Sequence, residues 1–125
     1  MKTIISTDKA PAAIGPYSQG ISANGFIFTS GQLPINPATG AMPATIEEQT
    51  RQSLMNVKAI LESKNSSLSK VIKTTVFLSD MNNFAAMNGV YAEIFGASEH
   101  PARSAVQVAR LPKDALVEIE VVALA

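Results

Sequence analysis

The run Leu116–Leu124 constrains this chain more than any other stretch. Its residues alternate between two faces at strand spacing. Val117, Ile119, Val121 and Ala123 fall on one face, and Leu116, Glu118, Glu120, Val122 and Leu124 on the other. A strand wet on one side carries polar residues there. Here the second face is apolar apart from two carboxylates, so the sheet calls for cover on both sides. The preceding stretch from His100 reads as a second strand, joined to the first by a turn at Pro112-Lys113-Asp114. It sets Arg103, Ala105, Gln107 and Ala109 on one face. Pairing the two strands brings a cation and carboxylates together in apolar surroundings, an arrangement that invites a functional reading.

The chain has 125 residues and reads as a single domain, 1–125. A domain of this size buries about two-thirds of its unfolded surface and needs no covalent staples. Only 16% of its residues are charged, which points to surface hidden by self-association. Ten basic residues against ten acidic ones leave no field to attract nucleic acid, so none is expected as a partner. There are no cysteines and one histidine, His100, so thiolate chemistry, disulfides and His/Cys metal sites are excluded. The N-terminus lacks a signal-peptide pattern and no apolar run reaches membrane-spanning length, which makes the cytoplasm the expected location.

Taken in order, Lys2–Ser6 reads as a strand, followed by a Pro/Gly-punctuated loop through Tyr17. Asn24-Gly25 between two β-prone runs, Ser18–Ser22 and Phe26–Ser30, signals a hairpin. Gly31–Gly40, with two prolines, reads as an exposed loop. Thr45-Ile-Glu-Glu48 is a capping box, and Ile46, Thr50, Leu54, Val57, Ile60 and Leu61 recur at helical spacing, predicting a helix over about 46–63. The β-branched run Lys70–Leu78 reads as a strand. Asp80 caps a second helix that buries Phe84, Met87, Tyr91, Ile94 and Phe95 and stops at Gly96. The order β-β-β-α-β-α-β-β implies an α+β domain, with a six-stranded mixed sheet and both helices on one face. The other face is too apolar to stay wet and is expected to be buried by self-association.

Several residues are candidates for chemistry. Arg103 either pairs with Glu118 or Glu120 inside the sheet or anchors an anionic substrate through its guanidinium fork. Glu120 either pairs with a basic neighbour or holds and deprotonates water, and Glu118, on the same face, competes for that role. Tyr17 closes the edge of the core or lines a pocket. Ser30 and Gly31 end a strand where an amide and a hydroxyl can grip a ligand, and Asn88 lies beside the buried stripe of the second helix.

The chain resembles the RidA/YjgF family of enamine/imine deaminases along essentially its whole length. The resemblance rests on Ala10-Pro-Ala-Ala-Ile-Gly-Pro-Tyr-Ser-Gln19, Thr29-Ser-Gly-Gln-Leu-Pro34, Lys73-Thr-Thr-Val-Phe77 and Pro101-Ala-Arg-Ser104. The run from Val108 to Asp114 and Glu118-Ile-Glu120 add to it. It implies a chorismate mutase-like fold, a homotrimer with active sites between subunits, and no cofactor or metal. It also implies hydrolysis of 2-aminoacrylate/2-iminopropanoate and 2-iminobutanoate to 2-oxoacids and ammonia. Carried over by position, Arg103 binds the substrate carboxylate and Glu120 activates water. Tyr17, Ser30, Gly31, Phe84, Asn88 and Ala105 line the pocket. Ala105 stands where many members carry cysteine. A non-catalytic trimer that binds small metabolites is the alternative, and a ribonuclease or translation inhibitor a more distant one.

Overall fold

Two neighbouring residues with positive φ, Asn24 at 51° and Gly25 at 81°, turn the chain back on itself in a two-residue hairpin loop. The loop joins β2 (Gly20–Ala23) to β3 (Phe26–Thr29), with Ala23 opposite Phe26. The structure, a computed structural model, describes residues 1–125. Its other elements are β1 (Thr3–Ile5), α1 (Ile46–Glu62), β4 (Val71–Leu78), α2 (Phe84–Phe95), β5 (Ala102–Gln107) and β6 (Val117–Leu124). The element types and order match the sequence reading, and all six strands join one mixed sheet. Thr45 caps α1 by accepting from the Glu48 amide. Asp80 caps a short 3-10 turn that leads into α2, and Gly96 ends that helix at φ 89°.

Strand adjacency differs from the sequence reading. β5 and β6 are not paired: the order is β1-β2-β3-β6-β4-β5, with β4 between them. β6 runs antiparallel to both β3 and β4, while β5 runs parallel to β4. The physical reason is the crossover. Helix α2 carries the chain back along the sheet, so the strand after it lies parallel to the strand before it. The turn at Pro112–Asp114 then leads over β4 rather than closing a hairpin. The central slot buries Val117, Ile119, Val121 and Ala123 of β6.

The register assigns each side chain to a face. Arg103 shares a rung with Thr74 and Val121, on the side covered by both helices. Glu118 lies opposite Phe77, and Glu120 opposite Thr75, on the other side. Arg103 and the two carboxylates therefore stand on opposite faces of the sheet within one chain. The helix side holds the core, where Ile5, Ile27, Val76, Leu78, Val117 and Ile119 meet Leu54, Ile60 and Met87. The other side presents Ile4, Phe26, Phe28, Val106 and Leu124, with Ile4 62% and Phe28 46% exposed.

The segment after β3 is not the wholly exposed loop expected. Gln32 bridges to Ile119 through backbone hydrogen bonds in both directions, and Gln32 and Pro34 are buried. Asn56 of α1, itself buried, donates to the Leu33 and Ile35 carbonyls and fastens the segment.

Candidate functional site

Arg103 lies in a cradle made by one face of α2. Its Nη1 donates to Asn88 Oδ1 at 2.6 Å. Its Cζ lies 4.8 Å from the Tyr91 ring centre and 5.4 Å from that of Phe84. Phe84, Asn88 and Tyr91 fall at i, i+4 and i+7, one helical stripe, so a single helix face supplies all three contacts. No carboxylate pairs with this guanidinium: the chain's two ion pairs are Arg51–Glu93 and Arg110–Asp114. The sheet salt bridge to Glu118 or Glu120 is therefore not formed. A half-buried arginine held by an amide and two rings keeps most of its donors for another anion. Tyr91 donates to or accepts from Thr74 at 2.8 Å, and burial pushes its phenol above the usual range, so it stays neutral beside the cation. His100 and Pro101 complete the rim of this cleft. The His100 Nε2 donates to the Gly96 carbonyl at 2.7 Å.

A second cavity, about 420 Å³, opens on the far side of the sheet, within the roughly 300–1,000 Å³ typical of small-molecule sites. Tyr17, Ser30, Gly31 and Glu118 line it, with Ile14 and Leu33 as apolar wall. Its loop is well tethered. Gln19, buried, accepts from the Thr7 amide and donates to the Thr7, Ala10 and Pro11 carbonyls. Ser30 donates through its hydroxyl to the Ser18 carbonyl and through its amide to that of Gln19. Gly31 makes room for the carboxylate. A Cβ there would lie 2.8 Å from Glu118 Cδ, too close for any other residue without displacing that side chain. Burial, and after it the neighbouring Glu120 charge, raise the Glu118 carboxyl above its ordinary value. Glu120 does not line this cavity. Lys113, on the rim, has a positive φ of 58°.

The family model described as Endoribonuclease L-PSP matches residues 7–125. The chain belongs to this family, the YjgF/RidA family. A RutC family protein of Pyrococcus horikoshii is 59% identical over 98% of each chain. The 2-iminobutanoate/2-iminopropanoate deaminase of Escherichia coli is 52% identical over 99% of this chain and 98% of that one. The crystal structure of E. coli TdcF with bound serine superposes with a TM-score of 0.95 at 50% identity, covering 98% of both chains.

Within this YjgF/RidA chain the residues expected to share one pocket divide into two groups. Arg103, Asn88 and Phe84 gather on α2's side, with Ala105 on the same strand face as Arg103. Tyr17, Ser30 and Gly31 gather on the other side, around Glu118. Two residues stand differently here from the sequence reading, which gives Tyr91 to the core and names Glu118 only as the competitor of Glu120. Tyr91 was placed in the core stripe, and its spacing from Phe84 and Asn88 was the available signal. Glu118 was the rival to Glu120, and alternation alone gives two residues on one face equal standing.

Proposed function

We propose that this protein hydrolyses small 2-imino acids, or their enamine tautomers, to 2-oxoacids and ammonia. The observation that carries the reading is Arg103: a preoriented, half-buried guanidinium without a carboxylate partner, suited to a small carboxylate. The raised carboxyl of Glu118, rather than Glu120, supplies the base. It takes a proton from water as the oxygen attacks the imine carbon, and the nitrogen gains a proton. The resulting carbinolamine loses ammonia as its hydroxyl proton departs and the C=O bond forms. A carboxylate whose pKa is raised is a stronger base than an ordinary one. Relatives named 2-iminobutanoate/2-iminopropanoate deaminase support the same chemistry.

One chain cannot apply both groups to one small molecule. Arg103 and Glu118 are two strands apart, about 10 Å at ordinary strand spacing, three rungs apart along the strands, about another 10 Å, and on opposite faces. The working site is therefore built between copies, with Arg103 of one chain reaching the Glu118 cavity of the next, in a homotrimer as the family resemblance implies. The endoribonuclease of the family description calls for a cationic track along a phosphate backbone, and ten cations balanced by ten anions provide no surplus for one.

The test generates 2-iminobutanoate in place with a threonine dehydratase and follows 2-oxobutanoate release against a semicarbazide trap. Wild type accelerates release, Arg103→Ala and Glu118→Gln do not, and Glu120→Gln retains most of the rate. A wild type no faster than buffer, with binding of 2-oxobutanoate intact, favours the metabolite-binding alternative.

A further inference from the structure

A hydrogen-bonded Thr–Tyr pair in a core is ordinarily a satisfied contact of little consequence. This pair lies against the one guanidinium that the site depends on. Thr74 is fully buried and Tyr91 nearly so, and their hydroxyls meet at 2.8 Å. Thr74 is also the direct partner of Arg103 in the β4–β5 register. The Tyr91 ring packs on Phe95, centroids 4.6 Å apart, and lies 4.8 Å from Arg103 Cζ. Ring packing alone leaves a phenyl group free to rock about its axis. A hydroxyl bond to a β-branched residue on the sheet floor fixes both its depth and its tilt. Valine and phenylalanine would fill nearly the same volume, and the net gain from such a bond is only about 1 kcal/mol.

We infer that Thr74 and Tyr91 are a positioning pair for Arg103, holding the Tyr91 ring so that the guanidinium fork presents its free donors to a substrate carboxylate. The inference rests on the proposed role of Arg103 as carboxylate anchor. Asn88 fixes one end of the fork through Nη1, and the ring fixes the plane. With the pair removed, the arginine keeps its charge and its amide contact but samples more orientations. The loss then appears in carboxylate binding and not in proton transfer at Glu118.

The test uses Thr74→Val, Tyr91→Phe and the double variant, each alone and in an Arg103→Ala background. The double variant leaves no orphaned hydroxyl, so it folds even where a single one is compromised. The KM for 2-iminobutanoate and the dissociation constant for 2-oxobutanoate rise roughly fivefold in the double variant with kcat little changed. In the Arg103→Ala background, which has no turnover to read, only the 2-oxobutanoate dissociation constant is compared, and the double substitution adds nothing further to it. NMR gives a direct readout, with faster rotation of the Arg103 guanidinium in the double variant. A rise that persists at full size without Arg103, or unaltered affinity and rotation, overturns the pair. If the wild type shows no turnover, the proposed function falls while the rotation measurement still decides this inference.

Discussion

Glu118 combines two properties in one side chain: it is pressed against Gly31, and it holds its proton above the usual carboxylate range. If it acts as the base, it must be ionised, so the acidic limb of kcat/KM lies above the ordinary carboxylate value. Glu120→Gln removes the second cause of the shift and moves that limb to lower pH. Glu118→Gln lowers turnover by about 10²–10⁴. It also changes stability with a defined sign. The folded protein keeps the Glu118 proton to higher pH than the unfolded chain does, so stability falls as pH rises from the unfolded value through the folded one. Above that window the ionised carboxylate is a burden, and there Glu118→Gln melts at higher temperature than wild type. The advantage disappears under acid conditions, and calorimetry across pH reads both ends. Arg103 was legible as a candidate from its residue type and motif, while the choice between a sheet salt bridge and a free guanidinium depended on the strand order. The alternation put Glu118 and Glu120 on one face but could not choose between them, because the Tyr17 loop that sets Glu118 apart comes from about a hundred residues earlier in the chain.

At the scale of elements, boundaries were legible wherever a local signal set them. Thr45 caps α1 by bonding the Glu48 amide, and Asn24-Gly25 forces the hairpin, because both devices act within four residues. Partners across the sheet carry no such signal. The Pro-Lys-Asp turn suggested a hairpin between β5 and β6, yet β4 intervenes, since α2 had already fixed β5 as its parallel neighbour. The buried segment after β3 was missed for the same reason: its anchor is a side chain on α1. Asn56→Ala tests that anchor. It leaves the Leu33 and Ile35 carbonyls without their donor and costs about 2 kcal/mol in urea unfolding. Leu33 lines the Glu118 cavity, so turnover falls with stability.

For the whole molecule, the apolar outer face of the sheet and the division of the site are two signs of one arrangement. The two-sided pattern of Leu116–Leu124 already called for cover on both sides, and the helices cover only one. Ile4, Phe28 and Leu124 stay exposed on the other, while the proposed anchor and base stand on opposite faces of a single chain. The proposed association of copies would relieve both conditions at once, hiding apolar surface and bringing the Arg103 of one chain to the Glu118 of another. Subunit complementation checks this directly. Arg103→Ala and Glu118→Gln chains, each inactive alone, are unfolded together in equal amounts and refolded. A site that takes its arginine from one chain and its glutamate from the next is intact with both in about a quarter of random pairings, one half times one half. The mixture therefore regains about a quarter of wild-type turnover. A site contained within one chain regains none, because every chain in the mixture lacks one of the two groups.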